Sequence, residues 1–345
     1  MKLTPIKALT ACAVSLAFTV TACGDSKDKG GASTSPSSGL TEIACDASFE
    51  DIISQEIDVY EYIYPKANIM PYYVDENAAI DSLLNFSVKL AVTTRPLTDK
   101  EVEYLKSHKK QVRQSQIAVD ALALIVNPEN PCDVMDLKDL KGILSGKLTT
   151  WDQVVPGAKR DSIRVVFDHQ GSSTVKYMRD SLLNGAPLGP NCRAQKTPPA
   201  VFEAVEKNKN AIGIIGVSWI NDDMQGRNLS AEEMAKAIER NDSVDQKFKT
   251  NVKVLKVENP ATATAYKPYQ YYIFRGEYPL FRQIYIISTG VNGSLAHGFY
   301  SFVTGFQGQK LIQMTGVLPK VVQSSTMVLN SDISTDITPM TANFS

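Results

Sequence analysis

Four short stretches of this 345-residue chain gather small, hydroxyl-bearing and charged residues where an apolar run gives way to an amphipathic one. They are Asp46-Ala47-Ser48, Asp75-Glu76-Asn77, Thr93-Thr94-Arg95 and Gln170-Gly171-Ser172-Ser173-Thr174. Their chemistry suits anion capture: helix N-termini present unpaired N–H groups and a partial positive charge, so they hold anions with few cations. The fourth stretch is the richest, because Gly171 lets backbone come close to a ligand and the hydroxyls of Ser172, Ser173 and Thr174 add donors. Each turn taken alone is also an ordinary helix cap, since Ser, Thr, Asp and Asn are the favoured N-cap residues. Other chemistries fall away. Gly142 to Leu148 has the glycines and lysine of a phosphate-cradling loop, but the spacing is short and Leu148 cannot ligate magnesium. Asp168, His169 and Ser172 lie within one turn, and no Gly-x-Ser-x-Gly elbow surrounds the serine, which disfavours a hydrolase. His108, His169 and His297 are scattered and no Cys and His spacing suits zinc, so neither a metal nor a cofactor is expected.

The elements that must position these turns alternate between strand and helix. Thr41–Ala44 reads as a strand, followed by Phe49, Ile52, Ile53, Ile57, Tyr60 and Tyr64 at helical spacing. Asn68–Tyr73 reads as a second strand, Ala78 to Leu84 as the apolar side of a second helix, and Lys89–Thr93 as a third strand. Thr98-Asp99-Lys100-Glu101 fits a capping box at a new helix start. Gln116–Val126 is a long apolar strand ending at Asn127-Pro128, suited to leaving one lobe for another. Further buried strands follow at Ile163–Phe167, Ala211–Val217 and Tyr285–Ser288, with a helix carrying Val175, Met178, Leu182 and Leu183 between them. This alternation predicts an α/β protein with doubly wound sheets. The polar segment 221–251, helical near residues 231–238, reads as a surface insertion, and the tail 323–345 as draped over the surface.

A formal net charge of -1 with dispersed Lys and Arg lacks the electrostatic footprint of a nucleic-acid binder. Lys2 and Lys7, then the apolar run Ala8–Val20, then Thr21-Ala22-Cys23 have the order of a bacterial lipoprotein leader, with Cys23 as the lipidated first residue after cleavage of residues 1–22. Residues 24–39 are too polar to bury anything and form a tether with a reach of roughly 20–25 Å. After the leader no apolar run approaches membrane-spanning length, so membrane association is expected through the lipid alone. Cys132 and Cys192 could pair in an oxidising compartment, whereas Cys45 reads as a small buried residue.

Five segments, in order, carry a family resemblance. Leu137–Val154 resembles the helix, Gly-Lys and Trp segment of phosphate-type substrate-binding proteins, and Gly171-Ser172-Ser173-Thr174 resembles their Gly-Ser-Gly-Thr loop. Asn210–Gly216 is similar to their Ala-Ile-Gly-Tyr-Val-Gly strand, and Tyr278-Pro279-Leu280 precedes the strand returning to the first lobe. Gly308-Gln309-Lys310 with Gly316-Val317-Leu318-Pro319 is similar to their closing helix and its exit. The resemblance implies a type II periplasmic-binding-protein fold, two α/β lobes joined by crossover strands with the ligand in the cleft. Lobe 1 is expected over 40–118 and 286–345, and lobe 2 over 119–285. Open α/β sheets independently favour a ligand beyond the carboxyl ends of strands, where the four turns sit.

Two positions depart from the family pattern. Where the family carries an Arg three residues before the loop's first Gly, this chain has Asp168, and its Ser-Asp-x-Pro is here Thr93-Thr94-Arg95-Pro96. The expectation is that the charges have exchanged lobes, with Arg95 supplying the guanidinium and Asp168 accepting a ligand proton. A carboxylate facing an oxyanion is favourable only if the ligand brings a hydrogen. The ligand-binding set is therefore Ala47, Ser48, Glu76, Asn77, Thr93, Thr94, Arg95, Asp168, Gln170, Gly171, Ser172, Ser173 and Thr174. The implied function is a monomeric, non-enzymatic lipoprotein of the cell envelope, facing the periplasm, that binds inorganic phosphate or a related oxyanion for an ABC transporter permease. A sensor or scavenger of the same fold is the alternative, and a phosphate-ester hydrolase a distant third.

Overall fold

The computed structural model describes residues 35–221, 229–240, 248–249 and 251–322. The leader, Cys23, most of the tether and the expected tail lie outside the described residues. Parallel strands β1 (Ser38–Asp46), β2 (Lys66–Val74) and β3 (Leu90–Thr93) alternate with helices α1 (Glu50–Ile63), α2 (Glu76–Leu84) and α3 (Asp99–Ser107). β1 starts before the apolar run at Thr41 because residues from Ser38 onward pair with β2 through backbone, independently of side-chain hydropathy. α3 opens on the capping box expected from sequence: Thr98 accepts from the Glu101 amide and the Glu101 carboxylate accepts from the Thr98 amide.

Strand β4 (Arg113–Val126) then runs for 14 residues through the middle of the molecule. Beyond it come β5 (Val134–Met135), α4 (Leu137–Leu144), β6 (Arg164–Phe167), α5 (Ser173–Tyr177), β7 (Cys192–Ala194), α6 (Pro199–Lys207), β8 (Ala211–Gly216) and α7 (Val217–Ile220). α5 continues as a π-helical turn over Met178–Leu182. Just past the end of α4, Gly146 has a φ of +75°, left-handed backbone that glycine adopts without strain. Gly142–Leu148 is therefore a helix end and turn rather than a phosphate loop. The chain continues through α8 (Ala231–Arg240), β9 (Lys253–Val254), β10 (Lys256–Asn259), β11 (Thr264–Tyr266), α9 (Gln270–Phe274), β12 (Phe281–Ser288), α10 (Leu295–Thr304), α11 (Phe306–Met314) and β13 (Leu318–Pro319).

The main path of the large sheet is β2-β1-β3-β12-β4-β8-β6-β7. Its two ends are parallel, with β1 pairing β2 and β3 on one side and β6 pairing β7 and β8 on the other. Its centre is antiparallel: β12 pairs β3 and the first part of β4, while Leu122–Val126 of the same strand pairs β8. β4 and β12 therefore join two doubly wound halves, and the fold is the two-lobe α/β type. Parallel strands covered by helices on both faces read as continuous apolar runs, which is why every residue of β3 and β8 is buried.

Two expectations change. α8, placed by sequence in a surface insertion, buries Met234, Ala235, Ala237 and Ile238 and packs against α1 and α11. Its charged residues fill one face and mask the apolar one when composition alone is read. Cys132 and Cys192 are unpaired, their thiols pointing to the carbonyls of Val134 and Leu144. Burial pushes both up to about 11. Cys45 is wholly buried, as expected.

Candidate functional site

The turn after β1 and the loop after β6 meet at Asp168. This carboxylate is 1% exposed and accepts from Ser48 Oγ at 2.8 Å, Ser172 Oγ at 2.6 Å and Thr174 Oγ1 at 3.3 Å. Ser48 is fixed because Asp46 Oδ1 accepts from its amide at 2.9 Å, while Trp219 Nε1 on α7 donates to its carbonyl at 3.0 Å. Ser172 caps α5 by accepting from the Val175 amide at 3.2 Å. Capping and site-building are thus the same act at this loop: one hydroxyl oxygen holds the helix start and its proton serves Asp168.

The cation of this cluster is Arg282. Asp120 on β4 stands directly opposite Arg282 in the β12 register. Arg282 Nε and Nη2 donate to Asp120 Oδ2 at 3.0 and 2.9 Å. Nη1 donates to Ser173 Oγ at 2.6 Å and Thr174 Oγ1 at 3.1 Å. Its guanidinium lies 4.6 Å over the Phe49 ring. The Val217 amide completes Asp120 by donating to Oδ1 at 3.1 Å. Burial pushes the Asp120 carboxyl above its ordinary value, with Arg282 pulling it back. Asp46 is likewise pushed up by burial and opposed by Arg282, and its Oδ2 finds no hydrogen bond of ordinary geometry among the described residues. Asp46, Asp120 and Asp168 thus crowd three buried acids around one guanidinium, so an anionic guest is tolerated here only if it brings protons for the carboxylates to accept.

A second bridge joins the same two halves. Glu76, 1% exposed at the start of α2, accepts from the Thr94 amide at 2.8 Å, from the Thr94 hydroxyl, and from Lys176 Nζ on α5. Burial raises the Glu76 carboxyl, but the Lys176 and Thr94 bonds outweigh it and hold it below its usual value. Beside this bridge, His169 Nε2 lies 3.2 Å from Asp75 Oδ1. Gly171 packs so closely on the Asp75 carboxylate that a Cβ would collide with it.

The structure thus brings Ser48, Asp168, Ser172, Ser173 and Thr174 into one buried cluster and Glu76 and Thr94 into a second. Thr93 is buried and donates to the Arg95 carbonyl at 2.8 Å. Ala47 is half-buried, and Asn77, Gln170 and Gly171 are exposed. Arg95 does not provide the buried guanidinium. Its Nη1 and Nη2 donate to Glu101 at 2.8 and 2.9 Å, because the capping box of α3 fixes that carboxylate beside it. The bond from Arg95 holds Glu101 at about 2. Arg282, Asp120, Lys176 and Trp219 were missed by sequence reasoning. A signal existed for Arg282: alternation along β12 puts it on the same inward face as Ile284 and Ile286.

Buried hydroxyls, carboxyls and one guanidinium from two strand-linked halves thus converge on a shared spot. The chain belongs to the PBP superfamily, whose domain matches residues 30–305. Among curated relatives, the phosphate-binding protein PstS of Staphylococcus aureus is 24% identical over 199 residues, 57% of this chain and 60% of that one. The chain thus spans about 60% of the length of the curated relatives it matches. An ABC-type phosphate transport receptor from Vibrio cholerae superposes with a TM-score of 0.57 at 21% identity, covering 81% of this chain and 100% of that one. A Clostridium perfringens protein solved with bound phosphate gives a TM-score of 0.61 at 18% identity, covering 81% and 99%. At these identities the structural likeness establishes the fold.

Proposed function

We propose that this chain is a substrate-binding lipoprotein of an ABC importer that captures a tetrahedral oxyanion, phosphate foremost, between its two halves. The observation that carries the reading is the convergence on Asp168 of hydroxyls from both halves, Ser48 on one side and Ser172 and Thr174 on the other. Hydroxyls rotate freely, so those now satisfied by Asp168 can turn to an incoming anion. Asp168 then accepts the proton of hydrogen phosphate. Arg282, rather than Arg95, supplies the fixed positive charge next to Ser173 and Thr174. Sulfate carries no proton at neutral pH and would leave Asp168 facing a bare anion, which is the basis for rejecting it. The names of the relatives in Staphylococcus aureus and Vibrio cholerae support phosphate and transport. Lobe boundaries at residues 118–119 and 285–286 suit this reading, since both fall on the crossover strands β4 and β12. The leader and Cys23 support a lipid anchor that faces the protein into the periplasm.

Calorimetric titration of the purified protein with phosphate and sulfate tests the function. Saturable phosphate binding with sulfate at least about a hundredfold weaker is expected, and equal affinity for both removes the role given to Asp168. Radiolabelled palmitate incorporation that disappears with Cys23→Ser tests the anchor.

A further inference from the structure

A cavity of about 440 Å3 opens directly onto the cluster, sharing Ser173 and Arg282 with it. Thr94 and Lys176 bring the second bridge to its wall, and Tyr177 and Phe281 add aromatic surface. A lone tetrahedral oxyanion has five heavy atoms and needs only the buried donors already described. A water takes roughly 30 Å3, so the adjoining space would hold more than ten of them. Its volume falls in the range of roughly 300–1,000 Å3 typical of sites for small organic ligands. Apart from Tyr177 and Phe281 the lining is polar or charged, Arg95 and Asp180 included, so the substituent it suits is a short polar one.

Resting on the oxyanion-capture reading above, we infer that the site takes a small organic phosphate, a monoester or a phosphonate, its head at Ser173 and Arg282 and its substituent in the adjoining cavity. The buried Arg282 Nη1 and the hydroxyls of Ser173 and Thr174 recognise the head whatever it is attached to. The aromatic faces of Tyr177 and Phe281 cover the substituent's carbon atoms. Glu76 compensates the charge of Lys176, but an ammonium has three donors, so Lys176 can also serve a hydroxyl of the substituent.

The test is calorimetric titration of the full chain with inorganic phosphate, glycerol phosphate and aminoethylphosphonate, repeated on Ser181→Phe. Ser181 lines the cavity, is exposed and belongs to neither cluster, so a phenyl ring there narrows the cavity without burdening the fold. At least one organic ligand is expected to bind within tenfold of phosphate or tighter. Ser181→Phe should weaken that ligand tenfold or more and leave phosphate within twofold. Binding of phosphate alone overturns the inference and leaves the oxyanion reading standing, whereas binding of none of the three ends both. Equal weakening of phosphate and the organic ligand by Ser181→Phe also overturns it, because the substituent would then have no seat of its own.

Discussion

Arg282 is where fold and site can be separated by experiment. In Arg282→Met the four guanidinium bonds to Asp120, Ser173 and Thr174 disappear. Asp120, 1% exposed, keeps only the Val217 amide. Removing one partner of a buried ion pair costs about 3–5 kcal/mol, because the other charge is left uncompensated. Methionine retains part of the packing on Phe49, so the loss should fall within that range. Replacing both partners, as in Arg282→Met/Asp120→Asn, removes the stranded charge while the Asn oxygen can still accept from Val217. At least about 2 kcal/mol should then return, since replacing both members of such a pair is often close to neutral. Phosphate affinity should behave differently. A hydrogen bond to a charged group is worth about 1.5–3 kcal/mol, so both variants should bind phosphate roughly tenfold to a hundredfold more weakly. Equilibrium urea unfolding and calorimetric titration read the two quantities separately. A double variant no more stable than Arg282→Met would refute the ion-pair reasoning, and phosphate affinity within twofold of wild type in both variants would remove Arg282 from the site.

Asp168→Asn should weaken phosphate and narrow the phosphate-to-sulfate preference by about tenfold or more in titration, because the amide can donate to an anion that brings no proton. Asp46 is held above its ordinary value by burial, so the native state takes up its proton at higher pH than the unfolded chain does. Its contribution to ligand-free stability is fullest below the unfolded value near 4 and is lost as pH rises through the native one. Asp46→Asn should therefore raise the neutral-pH melting temperature and flatten that slope in a melting series, and an unchanged slope would remove Asp46 as its source. Glu101 is shifted the opposite way, to about 2, so the Arg95 pair stabilises above the unfolded value near 4.3 and is lost as pH falls toward 2. Because the pair is partly solvated, Glu101→Gln should cost no more than about 1 kcal/mol at neutral pH in urea unfolding. The thiols of Cys45 and Cys132 should react with an aromatic disulfide reagent only on unfolding, and fast labelling of either in the native protein would contradict their burial.

The sequence by itself determined the alternation of strand and helix, the capping box at Thr98, the turn at Gly146 and the loop 171–174, because each depends on neighbours a few residues apart. Period and cap chemistry are local, so they can be read without knowing the fold. It also placed Asp168 at the loop and flagged its opposite sign to the family's Arg. What only the tertiary structure decided was which groups meet. Arg282 and Asp120 are 162 residues apart and Ser48 and Asp168 are 120 apart. Their contacts follow from antiparallel register between β12 and β4 and from the approach of one half to the other, which no local pattern encodes. Arg95 shows the same lesson in reverse. Its charge looked available in sequence, yet the carboxylate that claims it is the very Glu101 whose capping role was legible, and only the geometry of the α3 start reveals that one side chain does both.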